Sequence, residues 1–396
     1  MTNPDLSGVQ HAMYRLTAPI KDYAWGSTTL LSNLTGNTPT TTPQAEMWFG
    51  THPASPTLLD GGEPLADLVD LPFLVKLLAA AQPLSIQAHP TIPQAQAGFA
   101  AENTAGPPLD HPERTYRDAN HKPEMIIALT DFTAMAGFRD PCESAETLTA
   151  LAGLVSDPEL SATLTAMAQQ LNAGNIKEVF GRLVDPATPF SQTNGWTSAI
   201  FTALAQSKIE DPYLANALAA AKIHPDDPGA LITLLMNLVH LAPGEALFIP
   251  DGTIHGYVAG LGLEVMATSD NVIRGGLTIK HVDIAELDRV VSYRPTPPPF
   301  LTPHVETAAG VTCTRFTPPV TDFALTRYDL EAGARFTLTP QSPSIAVCTD
   351  GAGQLVTHDA TTDITPGAGL YLPGTRQPIE LSTLDTTMTV FIACQP

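Results

Sequence analysis

The 396-residue sequence predicts a mainly β protein with a helical insertion. Three observations support this fold class. Its 37 prolines and 28 glycines indicate many short, stiff connections, which suit β domains better than helical bundles. Up to about residue 140 the apolar runs are short and separated by turn residues, which indicates strands and loops. From Glu143 to about His240 leucines recur at helical spacing, and after His240 the β character returns.

Composition and charge argue against several classes of protein. A hydrophobic share of 43% is enough to bury a core, which excludes wholesale disorder. The net charge of −21 argues against nucleic acid and anionic membrane as partners. No signal peptide or membrane-spanning run is visible. Four widely spaced cysteines form no CxxC pair, so we expect reduced thiols in the cytoplasm: Cys142, Cys313, Cys348 and Cys394.

The helical insertion contains three start signals. Asp157-Pro158, Asp211-Pro212 and Asp227-Pro228 each precede an apolar run. An aspartate accepts hydrogen bonds from the unpaired N–H groups of a first helical turn, and a proline has no N–H to satisfy there. Each pair therefore predicts a helix that begins at or next to it.

The β region after His240 partly repeats itself. The segment Pro243–Pro250, PGEALFIP, is echoed at identical spacing by Pro366–Pro373, PGAGLYLP. Each copy has a Pro-Gly turn, a short apolar run and a closing proline. We therefore predict two related β units.

Two of the 11 histidines stand out by their context. In the strand-like segment Ser85–Pro90, side chains alternate, so Gln87 and His89 share one face. His255 ends the pattern Gly-x5-Pro-x-Gly-x2-His, in which a strand leads through a glycine turn into the next strand.

A carboxylate that suits this pair of histidines is Glu124, at the entrance of an apolar run. Pro123 favours an extended conformation for Lys122, so Lys122 and Glu124 are predicted to face one side. Two imidazoles, a carboxylate and the amide oxygen of Gln87 would leave a divalent ion with room for substrate, as in a catalytic metal site. Taken alone, Glu124 also fits a turn cap, and Gln87 also fits a backbone hydrogen bond.

A third polar block begins shortly after His255. Glu264, Asp270 and Arg274 fall within eleven positions that carry few other charges, and Arg274 is followed by two glycines. Ordinary surface charge accounts for any one of these residues. The three together predict the wall of a polar pocket.

Eight short segments of this chain, in this order, are similar to the type I phosphomannose isomerases of the cupin superfamily. The matching segments are Tyr23–Ser27, Glu46–Pro53, Leu71–Lys76, Ser85–Pro90, His121–Glu124, Pro243–Tyr257, Ser269–Thr278 and Lys280–Asp283. The resemblance implies two cupin (jelly-roll) β-barrels plus an α-helical domain. Residues 1–140 and 241–310 would form the central catalytic cupin, 141–240 the helical domain, and 311–396 a C-terminal cupin without metal. Pro378 stands there in the place of the expected histidine.

The resemblance also implies an aldose–ketose isomerase that interconverts mannose 6-phosphate and fructose 6-phosphate through a metal-stabilised enediol(ate). One zinc ion per chain would be held by Gln87, His89, Glu124 and His255. The candidates for catalysis are Arg274, Lys122, His121, Asp270 and Glu264, and the candidates for substrate binding are Lys76, Ser85, Trp25 and Tyr257, with Lys280 as a further contact. The expected partner is a small sugar phosphate, and the expected state is a monomer or weak homo-oligomer. The chain departs from the family pattern at Asp251, Gly256 and Gly275, where alanine is usual.

Two other functions remain open at this point. His89, Glu124 and His255 also form the two-histidine, one-carboxylate set that holds non-haem Fe(II) in oxygenases. Gln87 as a fourth ligand and the absence of a co-substrate signature argue against a cupin oxygenase. A non-catalytic sugar-binding cupin is the second alternative, because a fold does not guarantee activity. The charged residues Lys122 and Arg274 argue against it.

Overall fold

A computed structural model of the chain describes residues 13–190 and 195–396. The expectation of no signal peptide concerns the first ten residues, which lie outside the described residues. The chain divides into two compact units. Unit 1 comprises Met1–Ala79, Leu261–Thr268 and Leu301–Pro396, and unit 2 comprises Ala80–Gly260 and Ser269–Phe300.

The secondary structure of the described residues is mainly β. The strands are β1 (Tyr14–Thr17), β2 (Ile20–Lys21), β3 (Glu46–Phe49), β4 (Leu58–Leu59), β5 (Phe73–Ala80), β6 (Ile86–Ala88), β7 (Glu124–Ala128), β8 (Phe132–Phe138), β9 (Met236–Leu241), β10 (Ala246–Ile249), β11 (His255–Ala267), β12 (Ile273–Gly276), β13 (His304–Ala308), β14 (Val311–Phe316), β15 (Ala324–Leu330), β16 (Arg335–Leu338), β17 (Ser344–Gly351), β18 (Gly353–Val356), β19 (Thr361–Ile364), β20 (Gly369–Leu372), β21 (Ile379–Ser382) and β22 (Met388–Cys394). The helices are α1 (Leu30–Leu34), α2 (Ile92–Ala105), α3 (Pro141–Ala152), α4 (Pro158–Asn172), α5 (Ile176–Val184), α6 (Trp196–Gln206), α7 (Pro212–Ile223), α8 (Gly229–Ile232) and α9 (Ile284–Val290), with short 3-10 helices at Leu65–Asp67 and Thr233–Leu235. The mainly β prediction and the helical insertion are thus confirmed, whereas the two jelly-roll barrels stay a prediction.

Unit 1 contains an eight-stranded sheet in the order β13-β14-β15-β22-β17-β20-β1-β4 and a four-stranded sheet in the order β16-β21-β18-β19. Apolar side chains from both sheets form one buried cluster that includes Leu355, Leu370 and Val390. Each such side chain contributes about 1.5–3 kcal/mol relative to an exposed one. Burial of this cluster therefore stabilises the short strands of both sheets.

Unit 2 carries the helical insertion, the strands β6 to β10, the first part of β11 and β12. Helices α3 to α8 lie between Pro141 and Ile232 and bury a common apolar cluster with strands β6, β8 and β12. Strand β6 pairs with β12, and β7 pairs with β10, both antiparallel. In the described residues, no helix is long and apolar enough to cross a bilayer.

Two of the three predicted helix starts are confirmed as N-caps. The Asp157 carboxylate accepts from two N–H groups of α4, and the Asp211 carboxylate accepts from the Leu214 N–H of α7. At the third start, Asp227 accepts from the Gly229 N–H, but α8 begins one residue later than the pattern suggests, with Pro228 as its N-cap. Asp140, which precedes Pro141, caps α3 in the same way.

The predicted repeat is confirmed in the backbone. Strands β10 and β20 are four residues long, and each begins three residues after the first proline of its segment. The glycines of both Pro-Gly turns have positive φ, +92° at Gly244 and +85° at Gly367, which other residues adopt only with strain.

Helix α2 contradicts the prediction of strands and loops up to residue 140. A capping box starts it, because the Thr91 hydroxyl accepts from the Gln94 N–H while the Gln94 side chain accepts from the Thr91 N–H. Only Ala95 of this helix is buried. The helix therefore has no apolar stripe that periodicity could reveal.

Candidate metal centre

Strand pairing in unit 2 brings three of the predicted site residues into one row. Gln87 of β6 is the register partner of His255 of β11 on one side and of Arg274 of β12 on the other. Directly paired residues of antiparallel strands project to the same face of a sheet. Glu124 begins β7 and pairs with Ile249 of β10, whose chain then turns into the strand that starts at His255.

Three buried side chains converge at this row. His89 Nε2 lies 3.3 Å from Glu124 Oε1, and His255 Nε2 lies 3.2 Å from Glu124 Oε2. All three residues are at most 1% exposed. Among the described residues, they are the one group of three or more His, Cys, Asp or Glu side chains whose ligand atoms lie within 4.8 Å of one another.

The nitrogen and oxygen atoms that converge here are better placed to bind a metal ion than to form hydrogen bonds with one another. His89 Nε2 and Glu124 Oε2 are buried and have no hydrogen-bond partner among the described residues. Burying polar atoms without a partner costs free energy, which a cation bound between them would offset. The Gln87 amide lies 3.4 Å from His255 Nε2, and rotation of this amide would turn its oxygen towards the same point.

Backbone carbonyls fix both imidazoles in the orientation that a metal requires. His89 Nδ1 is 2.7 Å from the Asn271 carbonyl oxygen, and His255 Nδ1 is 2.9 Å from that of Thr253. A carbonyl oxygen only accepts, so each Nδ1 must carry the proton, and each Nε2 presents its lone pair.

The protonation states also suit a cation. Burial and the nearby Lys122 charge lower the pKa of His89 to about 4. Burial alone would raise the pKa of Glu124, but the charges of Lys122 and His89 hold it well below its usual range. At neutral pH the site therefore holds a neutral imidazole and an ionised carboxylate, both ready to bind a metal ion.

Lys122 and His121 lie two and three residues before Glu124. The buried Lys122 ammonium contacts Glu124 Oε1, as the sequence predicted for two side chains on one side of the strand entrance. His121 Nδ1 lies 3.1 Å from Asp251 Oδ2.

Arg274, at the end of this row, interacts electrostatically with Arg117 and Lys280. Burial and the charge of Arg117 lower the pKa of Arg274. Burial and the charges of Arg274 and Arg117 lower the pKa of Lys280. The sequence interpretation had selected Arg274 and Lys280 but missed Arg117, which lies four residues before the His121 motif.

Asn271 is the second residue that sequence reasoning missed. It is fully buried, and its amide donates to the Asn120 and Asp118 carbonyls while its oxygen accepts from the Arg117 N–H. Its own carbonyl holds His89, so it joins the segment before β7 to a predicted ligand. Its position beside Asp270 in a polar block was the one available signal.

The remaining candidates of unit 2 are placed as follows. Ser85 is half-buried and immediately precedes β6. Tyr257 is buried on β11, with its ring centroid 6.4 Å from that of His255. Asp270 is exposed, and its N–H donates to Asp118.

Unit 1 brings together Lys76 and Glu264 in a buried charge cluster. Lys76 Nζ is 3.0 Å from Glu264 Oε2 and 3.4 Å from Glu46 Oε1, and it lies 5.0 Å from the centroid of the Trp48 ring. Trp25 is half-buried in the same unit, with its ring 5.7 Å from that of Tyr23.

The fold and the site together define a β protein with a buried two-histidine, one-carboxylate group next to clustered cations. Comparison with known proteins gives the family. Residues 13–70 and 62–141 match the family model for the phosphomannose isomerase type I catalytic domain, and residues 316–359 match that for the type I C-terminal region. The chain belongs to the type I phosphomannose isomerase family.

Individual relatives cover nearly the whole chain. The mannose-6-phosphate isomerase of Escherichia coli (strain K12) is 36% identical over 93% of this chain and 96% of its own. Mannose-6-phosphate isomerase 1 of Arabidopsis thaliana is 32% identical over 91% and 89%. A crystal structure of a zinc-bound mannose 6-phosphate isomerase matches with a TM-score of 0.84 and 34% identity, over 97% of this chain and all of that one. A phosphomannose isomerase variant from Salmonella typhimurium matches with a TM-score of 0.85 and 33% identity over the same shares.

Proposed function

We propose that this protein is a zinc-dependent isomerase that interconverts mannose 6-phosphate and fructose 6-phosphate. The observation that carries the proposal is the convergence of His89, Glu124 and His255 in a member of this family, with His89 Nε2 and Glu124 Oε2 buried and without a hydrogen-bond partner among the described residues. We assign Gln87 as the fourth ligand because its amide borders His255. Neither an oxygenase nor a sugar-binding scaffold is favoured by the family to which the chain belongs.

The metal would be held by Gln87, His89, Glu124 and His255. When bound, zinc supplies a Lewis acid that polarises the sugar carbonyl and favours the enediol(ate) without a change of oxidation state. The Nδ1 contacts to the carbonyls of Asn271 and Thr253 would keep both imidazoles aimed at it.

The reaction needs two proton shifts. In the direction from mannose 6-phosphate, a base takes the proton from C2 and a proton is delivered to C1, while the O2 proton moves to O1. We propose His121 and Lys122 for these transfers, since both lie within three residues of Glu124 and Lys122 contacts its carboxylate. A positioned acid–base group contributes roughly 100- to 10,000-fold. Asp270 and Glu264 stay as further candidates, and Arg274 suits a permanent cation for the anionic intermediate.

The phosphate would bind to the cations of unit 2. The charge of Arg117 lowers the pKa of Arg274, and the charges of both lower the pKa of Lys280. These three cations offer donors to a dianion, which a chain of net charge −21 must otherwise repel. Ser85 precedes the strand that pairs with Arg274, so we include it as a substrate contact. Lys76, Trp25 and Tyr257 stay sequence-based predictions for substrate binding.

The wider organisation is also part of the proposal. We propose a central catalytic cupin from residues 1–140 and 241–310, a helical domain at 141–240, and a metal-free C-terminal cupin at 311–396. The four unpaired cysteines suit the reducing cytoplasm, where we place the protein. We expect it to bind a small sugar phosphate and no nucleic acid, and to be a monomer or weak homo-oligomer.

A coupled assay of fructose 6-phosphate formation from mannose 6-phosphate tests the function. Activity should disappear on chelation and return with zinc, and it should be equal with and without oxygen, which separates an isomerase from an oxygenase. His255→Ala should lose both zinc, measured by elemental analysis, and turnover. Retained zinc with full turnover in this variant would refute the metal assignment.

A further inference from the structure

The turn between β10 and β11 carries a carboxylate directed at His121. Asp251 Oδ2 lies 3.1 Å from His121 Nδ1, and the two side chains are 23% and 12% exposed. Asp251 Oδ1 is buried and has no hydrogen-bond partner among the described residues. The contact with His121 is therefore the one side-chain interaction that this carboxylate makes in the described part of the chain.

The strand register explains how residues 130 positions apart meet. Because Ile249 of β10 pairs with Glu124 of β7, the chain that continues past Ile249 runs beside the residues before Glu124. The turn is anchored at Gly252, where φ is +74° and the N–H donates to the His89 carbonyl at 2.8 Å. The pairing with Glu124 and the hydrogen bond to the His89 backbone thus hold Asp251 next to His121.

Other uses of an aspartate at this position do not fit the contacts. The Asp251 oxygens are outside the group of converging ligand atoms, so this residue is not assigned to the metal. An aspartate in a turn often accepts from a backbone N–H two residues later, which would stabilise the turn itself. In the described residues the Asp251 carboxylate accepts from no backbone N–H, and it faces an imidazole instead.

We propose that Asp251 is a positioning residue that keeps His121 protonated at Nδ1 and so makes Nε2 the atom that exchanges protons with the substrate. A carboxylate at pH 7 only accepts, so its neighbour Nδ1 must carry a proton. Nε2 then accepts a substrate proton as the bond to that proton breaks, and it returns the same proton to the neighbouring substrate atom. The Asp251 carboxylate stabilises the transient imidazolium. This inference rests on the proposed isomerase activity and on His121 as a proton carrier.

The test combines a spectroscopic and a kinetic measurement on the zinc-loaded enzyme. Long-range ¹H–¹⁵N NMR of protein labelled at histidine reports which imidazole nitrogen carries the proton, with His121→Gln to assign the signal. We expect the Nδ1–H form of His121 in the wild type and its loss in Asp251→Ala. We expect Asp251→Ala to lower kcat about ten- to hundredfold, with KM changed less than about twofold. Asp251→Asn keeps an acceptor oxygen, so it should retain the Nδ1–H form and show a smaller loss of kcat.

A matched control is the exposed pair His358 and Asp359, with Nδ1 and Oδ1 2.6 Å apart. Asp359→Asn should leave the His121 signal and the kinetics unchanged. An Nε2–H form of His121 in the wild type, or a wild-type kcat in a folded Asp251→Ala, would overturn the assignment. If Asp251→Ala does not fold, the same decision rests on the wild-type tautomer and on kcat of Asp251→Asn. A wild type without isomerase activity would refute the proposed function, and the tautomer in Asp251→Ala would still decide whether Asp251 holds His121.

Discussion

Replacement of Lys76 by methionine tests the buried charge cluster of unit 1. Lys76 is 6% exposed, and its ammonium lies 3.0 Å from a Glu264 oxygen and 3.4 Å from a Glu46 oxygen. The methionine would keep the apolar stem but leave two buried carboxylates without their shared cation. Removing one partner from a buried ion pair costs about 3–5 kcal/mol, so we expect a loss of this size in the free energy of unfolding. The family resemblance instead implies a role for Lys76 in substrate binding.

Urea unfolding followed by tryptophan fluorescence measures this loss, since the Trp48 ring is 5.0 Å from the Lys76 ammonium. The matched control is Lys177→Met, which breaks an exposed ion pair to Asp288 whose side chains are 60% and 46% exposed. We expect the control to cost less than about 1 kcal/mol. Adding Glu264→Gln to Lys76→Met should recover part of the loss, because it removes one of the two buried carboxylate charges that Lys76 neutralised. If Lys76→Met costs no more than Lys177→Met, the reasoning about burial is wrong.

Three further predictions concern His89, Cys348 and Asp157. The pKa of His89 is lowered from 6.5 to about 4, so its contribution to stability is complete above pH 6.5 and is lost as pH falls towards 4. At about 1.4 kcal/mol per pH unit, the free energy of unfolding of the zinc-free protein, measured in urea, should fall by about 3 kcal/mol over this range. In His89→Gln the free energy of unfolding should depend less on pH. Burial raises the pKa of Cys348 to about 12, so a thiol reagent at pH 8 should label exposed Cys142 at once and Cys348 only after unfolding; equal rates would contradict this. Asp157→Ala should cost about 1 kcal/mol, because two N–H groups of α4 lose their acceptor, and an unchanged urea midpoint would exclude this cap.

Local sequence patterns were enough to predict several helix starts. The aspartate caps at Asp157 and Asp211 depend on neighbours two or three residues away, so a linear pattern reveals them. Helix α2 escaped prediction because its capping box is local but its body buries a single alanine, which leaves no periodic signal. Sequence-based prediction therefore succeeded where an element both starts with local chemistry and buries an apolar face.

The residue types and their spacing in short segments of the sequence predicted the candidate metal centre. Which of these side chains meet depends on contacts between distant parts of the chain. The Asn271 carbonyl that holds His89 is 182 positions away along the chain, and the Asp251 carboxylate that faces His121 is 130 positions away. Such contacts are set by strand register and turn geometry, which depend on the packing of the whole unit rather than on any local pattern.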